Sequence, residues 1–212
     1  MIREDVGIVI LGSQDERHGL LPKDTDTKIA TYVAFKAASQ TRAKLVGIVN
    51  SAAEHEYIRH GRHHTPAIVL LDIKRIIENS RERLGIKKFV IVNGHGGNKL
   101  ILKYMPEIEG ALSVDIAFNN KLIELEGAHA ASNECSMAAA ASLANSAELT
   151  GQGDFKRFPE VGFVGMKEAH VDEVLKRLAL KTEQVGVKVD VNLGRRLLEK
   201  AVSDIVDEII RM

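Results

Sequence analysis

Apolar residues recur in two rhythms along this chain, and the rhythms alternate. Val6–Leu11 is an unbroken, largely β-branched run, the pattern of a strand covered on both faces. A helical rhythm follows over 27–39, with apolar or small residues at Ile29, Ala30, Val33, Ala34, Ala37 and Ala38. The alternation continues with a strand at 45–49 and an amphipathic helix at 67–84, which Gly85 terminates. Next come a strand at 88–92, a short helix at 98–105 stopped by Pro106, and a strand at 112–118. The second half reads as an alanine-rich helix at 133–147, an irregular glycine-rich stretch at 151–165, a helix at 170–180, a short extended piece at 186–190 and a closing amphipathic helix at 194–211. Strands alternating with helices predict an α/β fold with a mainly parallel sheet and helices on both faces. No repeat or linker divides residues 1–212, so one domain is expected. In such sheets ligands bind where loops converge at the carboxyl ends of strands.

Composition narrows the function. Twenty-nine basic and 29 acidic side chains cancel, which gives no global pull toward nucleic acid or an anionic membrane. Aromatic residues make up 4% and tryptophan is absent, against a stacking platform for single strands. No apolar run approaches the ~20 residues that span a bilayer. The lone Cys135 excludes an internal disulfide framework and fits a reducing cytoplasm, and the charged N-terminus does not read as a signal peptide.

The chemistry concentrates in three segments. The first, just past the first strand, is Glu16-Arg17-His18-Gly19 followed by Asp24-Thr25-Asp26-Thr27. Glu16 and His18 share one side of an extended backbone, and Asp26 can fold back across the intervening turn to join them. Carboxylates mixed with imidazole suit Zn²⁺, Fe²⁺ or Mn²⁺, and Asp26 is best placed to bridge two ions. The competing reading makes Asp24 or Asp26 the N-cap of the following helix. The second segment, Asn93-Gly94-His95-Gly96-Gly97-Asn98, follows a buried strand. His95 is either a ligand or a structural histidine, and the loop could also cradle a phosphate on its amides. It lacks the spacing of a Walker or dinucleotide loop.

The third segment holds His129 and Glu134. Glu134 could complete a metal shell and His129 could donate a proton to a leaving group. Alternatively Asn133 caps a helix and Glu134 merely favours its dipole. Cys135 has no base at suitable spacing and is not expected to be a nucleophile. The basic run His60, Arg62, His63, His64 is either an anion contact or a solvated loop, and Lys23 is a further candidate for a phosphate.

Taken together, these segments resemble the creatininase family of metal-dependent amidohydrolases. The matching pieces are Leu11-Gly12-Ser13, Glu16-Arg17-His18-Gly19, Leu21-Pro22, Thr25-Asp26-Thr27, Asn93 to Asn98, and His129 with Glu134-Cys135-Ser136. The resemblance implies a three-layer α/β/α sandwich with a dinuclear site. Its ligands would be Glu16, His18, the bridging Asp26 and His95, with Glu134 as a further ligand. A family glutamate falls at Gly97 here, so that carboxylate must come from elsewhere, and Glu134 is the expected source. The short length and the run from Asp24 to Ala30 are most similar to an archaeal branch of the family. That branch uses Fe²⁺ to remove formate from a phosphorylated formylaminopyrimidine nucleotide, in riboflavin and coenzyme F420 biosynthesis. The expected partner is thus a small nucleotide-like substrate, held by Lys23, by Arg62, His63 and His64, or by Asn93, Gly96, Gly97 and Asn98. The family's habit implies a homodimer or larger ring. Two rival readings are a related hydrolase of a cyclic amide or peptide-like substrate, and a nucleotide-binding module without chemistry.

Overall fold

The computed structural model describes residues 2–212. In chain order the elements are β1 (Val6–Leu11), α1 (Thr25–Thr41), β2 (Lys44–Val49), α2 (Pro66–Leu84), β3 (Lys88–Asn93), a 3₁₀ segment (Gly96–Tyr104), α3 (Met105–Leu112), β4 (Asp115–Asn119), α4 (Lys121–Glu126), α5 (Ser132–Ala140), α6 (Glu173–Val185) and α7 (Val191–Arg211). All strand pairs are parallel, in the order β2-β1-β3-β4. The connection between each pair of successive strands carries a helix, as parallel pairing requires.

Side-chain alternation on the central strands feeds two separate cores. Val6, Ile8 and Ile10 of β1, with Val90 and Val92 of β3, pack toward α1, α5 and α7. Val9 and Leu11, with Phe89 and Ile91, pack toward α2 and α3. A strand covered on both faces has no polar side, which is why β1 and β3 read as continuous apolar runs. The result is the three-layer α/β/α sandwich. β2 lies at an edge, where Leu45 and Ile48 remain exposed.

Several boundaries moved, each for a local reason. Proline does not end a helix at 105. A 3₁₀ segment runs to Tyr104, and Pro106 lies in the first turn of α3, where its missing N–H costs nothing. α1 starts at Thr25 rather than Thr27. Asp24 sits at its N-cap position without a side-chain cap bond and pairs instead with Lys28 at 2.8 Å. Asn133 does not cap α5, which begins one residue earlier. Its amide donates to the Leu125 carbonyl at 2.8 Å. That helix also stops at Ala140, well short of 147, and 186–190 is irregular rather than extended strand. Gly85 does terminate α2, in the left-handed conformation with its N–H on the Arg81 carbonyl. α7 is capped by Asp190, which accepts from Asn192 and Leu193.

Candidate metal centre

The loops after β1, β2 and β3 meet above the carboxyl ends of the strands. Extended backbone joins the first two: Glu16 bridges Gly61, and the Arg17 N–H donates to the His60 carbonyl at 2.8 Å. This short pairing presents Glu16 and His18 inward and carries His60 and His63 to the same point. The β3 loop is fixed by its asparagines. Asn93 accepts from the His95 N–H and donates back to the His95 carbonyl. Asn98 accepts from the Ala53 N–H and donates to the Gly12 carbonyl.

Asp26 lies at the middle of the cluster. One carboxylate oxygen is 2.9 Å from His18 Nε2 and the other is 3.0 Å from His95 Nδ1. Glu16 faces three imidazoles: His63 at 2.8 Å, His95 at 3.0 Å and His60 at 3.1 Å. Glu134 Oε1 approaches His18 Nε2 at 3.4 Å, while its other oxygen accepts the Ala130 N–H. Glu16, Asp26 and Glu134 are all at most 3% exposed.

Burying this many charges needs a reason. Desolvation alone would raise the Glu16 carboxyl, yet the imidazoles of His95, His60 and His63 hold it well below its ordinary range. Desolvation opposes charge on His18 as well. The carboxylates of Asp26, Glu134 and Glu16 overcome it and push His18 up to about 10. His95 reaches about 10 in the same way, chiefly through Glu16 and Asp26. The cluster is thus a concentration of negative charge that takes up whatever positive charge is at hand. Glu134 Oε1 and His60 Nδ1 are buried and lack hydrogen-bond partners among the described residues. Donor atoms of Glu16, His18 and Asp26, of Glu16, His63 and His95, and of His18, His129 and Glu134 each converge within 4.8 Å. Hard oxygen and imidazole donors without thiolate fit divalent zinc, iron or manganese.

This electrostatics makes a prediction about pH. Without metal, His18 and His95 carry protons at neutrality, so filling the centre at pH 7.5 is expected to expel about two protons. Calorimetric titration in buffers of different ionisation enthalpy measures that number. Because both histidines are raised above 6.5, their contribution to stability is fully present below 6.5 and is lost as pH rises through 10. The melting temperature of the chelated protein should therefore fall on the alkaline side of pH 7, and that of the metal-loaded protein should fall less.

His129 stands beside the cluster. Its ring centroid is 4.4 Å from that of His18 and 4.6 Å from that of His60, and the ring stacks on Phe163 at 5.2 Å. Nε2 is 2.9 Å from the Arg17 carbonyl, which can only accept, so Nε2 carries the proton and the Nδ1 lone pair is free. Burial, then the neighbouring His18 and His60, push His129 down to about 4. It is therefore a neutral imidazole at physiological pH.

The remaining foreseen residues divide clearly. Gly96 and Gly97 line the cavity above the cluster. Asn93 and Asn98 are fully buried, with amides engaged by protein groups, so they shape the loop and do not present themselves to a substrate. Lys23 is exposed and paired with Asp15 at 2.8 Å, outside the cavity. Arg62 and His64 line one depression together and His64 a second, neither of them the cavity above the cluster, while His63 belongs to the cluster itself. Cys135 is buried and its thiol is raised by desolvation and by Glu134, which leaves it unreactive. The 151–165 stretch is fastened down: Gln152 donates to the His18 and Ala130 carbonyls and accepts from Leu20, and Glu160 accepts from Gly19.

Three residues escaped the sequence reading as parts of the centre. His60 and His63 looked like a basic loop, because their partner Glu16 lies more than forty positions away. Glu54 is half-buried, with its carboxylate shielded and 3.5 Å from His95. A β-carbon at Gly97 would come within 2.6 Å of its carboxylate and would also strike the Ala53 carbonyl. Glycine at 97 thus makes room for the Glu54 carboxylate beside His95. Glu126 lines the cavity next to Glu134, and desolvation together with that neighbour holds its carboxyl well above the ordinary range.

The cavity over the cluster measures about 400 Å³. Its base is Asp26, His60, His95 and His129, and its walls include Ile58, Ile123, Phe163 and Leu175. A family model described as creatinine amidohydrolase matches residues 2–209. The chain belongs to the creatininase family. Among its relatives, proteins of Methanothermus fervidus and Methanosphaera stadtmanae are 41% and 42% identical over 206 and 212 residues. The alignments cover 96% and 98% of this chain and 83% and 90% of those proteins. Both relatives are named 2-amino-5-formylamino-6-ribosylaminopyrimidin-4(3H)-one 5′-monophosphate deformylase. Among solved structures, a creatinine amidohydrolase superposes with a TM-score of 0.67 at 16% identity, covering 97% of this chain and 89% of that one. A mutant creatininase of Zn–Zn type gives 0.66 at 17%, covering 96% and 89%. A manganese creatininase gives 0.61 at 18%, again covering 96% and 89%. These superpositions establish the family fold, and among the described residues no helix is long and apolar enough to cross a membrane.

Proposed function

We propose that this chain is a metal-dependent amidohydrolase of the riboflavin and coenzyme F420 routes. Its substrate is 2-amino-5-formylamino-6-(ribosylamino)pyrimidin-4(3H)-one 5′-phosphate, and its products are the 2,5-diamino compound and formate. The observation that carries the reading is Asp26, whose two oxygens serve two different sets of donors in one buried cluster. The name shared by relatives aligned over nearly the whole chain supports the choice of substrate.

In this reading Glu16, His95 and Asp26 would hold one ion, with His63 beside them, and His18, Asp26 and Glu134 would hold a second. A pair of divalent cations supplies Lewis acidity and brings the pKa of bound water from 15.7 to roughly 7. Fe²⁺ is the resident ion, and the same donors accept Zn²⁺ or Mn²⁺. His129 acts on protons. Held by the Arg17 carbonyl through Nε2, it takes the proton of the attacking water at Nδ1 and passes it to the departing ring amine. Starting neutral suits it to the first half of that task, and the proton it then holds is the one the poor amine leaving group needs. Ile58, Ile123 and Phe163 exclude water from the pyrimidine. The chain works in the cytoplasm as a homodimer or larger ring, consistent with Leu45 and Ile48 exposed on the edge strand and Ile68 and Leu71 exposed on α2.

Supplying the metal-loaded protein with the formylated nucleotide, and separately with creatinine, tests the reading. Formate from the first with no ring opening of the second is the expected result. Turnover of creatinine alone would replace the deformylase reading with a cyclic-amide hydrolase.

A further inference from the structure

The proposed substrate carries a phosphate, and the residues first expected to hold it lie elsewhere. Lys23 is paired with Asp15, and Arg62 and His64 line adjoining depressions and not the cavity itself. The cavity itself is lined by four carboxylates, those of Asp26, Glu54, Glu126 and Asp172. None of these side chains offers an attractive partner to a phosphomonoester, which carries close to two negative charges at neutral pH, so a cation must meet it. Among the described residues that line this cavity, only Lys99 is a lysine or arginine.

Lys99 is placed for that role. The residue is exposed, and its side chain makes no hydrogen bond or salt bridge with any described residue. It sits in the 3₁₀ segment one turn past Gly96, which is roughly 6 Å of rise. That offset from the Gly96 edge of the cavity is on the length scale of a single sugar. Gly96 is also exposed, with open space above its Cα, so nothing screens the approach. A lysine offers a compact, fully charged donor on a flexible stem, which suits a phosphate delivered at the end of a rotatable ribose.

We propose that Lys99 is the anchor for the 5′-phosphate and sets the preference for a nucleotide over a nucleoside. The proposal rests on the deformylase reading above. The test compares the metal-loaded wild type with Lys99→Ala, Lys99→Arg and Arg59→Ala, the last a cation of the neighbouring depression lined by His63 and His64. Each is given the formylated nucleotide and its dephosphorylated nucleoside. Removing the phosphate should cost the wild type about 10- to 100-fold in kcat/KM, the range of a charge-assisted hydrogen bond. Lys99→Ala should lose the same factor on the nucleotide, mainly through KM, and should no longer distinguish the two substrates. Lys99→Arg should recover part of the preference, and Arg59→Ala should keep all of it. Calorimetric binding of ribose 5-phosphate gives a readout that needs no turnover, with binding to the wild type and none to Lys99→Ala. A preference that survives in Lys99→Ala, or disappears in Arg59→Ala instead, overturns the proposal. If no variant nor the wild type releases formate, the deformylase reading fails. Loss of ribose 5-phosphate binding in Lys99→Ala would then still identify Lys99 as a phosphate site, and unchanged binding would reject it.

Discussion

Replacing Asp26 by alanine is expected to lower kcat by at least about 10³-fold and to strip metal from the purified protein. One preorganised electrostatic group in a buried active site is worth about 10²–10³ in rate, and Asp26 serves two donor sets at once. Its oxygens lie 2.9 Å from His18 and 3.0 Å from His95, so its loss removes the carboxylate that hydrogen-bonds both imidazoles, with Glu16 reaching His95 at 3.0 Å but His18 only at 3.9 Å. The fold should survive, because Asp26 makes no cap bond for α1 and alanine is a good helix former. Circular dichroism together with metal content after gel filtration checks both halves. A variant retaining two ions per chain and normal turnover would show that Asp26 is only a buried partner of two histidines.

Replacing His129 by glutamine is expected to give a different failure. Proton transfer by a positioned group contributes about 10²–10⁴ in rate, so kcat should fall within that range while metal content is unchanged. Glutamine can still donate to the Arg17 carbonyl, which keeps the loss from being a packing effect. Because His129 is pushed down to about 4, it is already in its basic form above that pH. No acid limb from this residue should therefore enter the wild-type profile between pH 6 and 8. Metal loss in His129→Gln, measured by the same metal analysis, would instead make His129 a ligand.

The contrast between what the sequence reveals and what it hides follows the range of the interactions. β1 and β3 are legible because burial on both faces leaves an apolar run. Glu16, His18 and Asp26 are legible because they gather within one loop, and His95 because glycines frame it after a strand. Convergence of distant loops is not written in any local pattern. His60 and His63 reach Glu16 through the backbone pairing of Glu16 with Gly61, and nothing near residue 60 announces it. Glu54 is hidden for a related reason: the sequence displays only a glycine at 97, whereas the fold places the Glu54 carboxylate against it. Asn93 and Asn98 misled in the opposite sense, since polar residues around a candidate ligand look like substrate contacts until their amides are found satisfied by protein groups. Pro106 shows the same limit at the level of one residue, because a proline marks a helix start as readily as a stop.

The most direct test of the central claim is an anaerobic assay of formate release from 2-amino-5-formylamino-6-(ribosylamino)pyrimidin-4(3H)-one 5′-phosphate by protein reconstituted with Fe²⁺. One formate is expected for each diamino product, with activity abolished by chelation and restored by Fe²⁺. No formate above the uncatalysed rate from fully loaded protein, or undiminished release from rigorously metal-free protein, would contradict it.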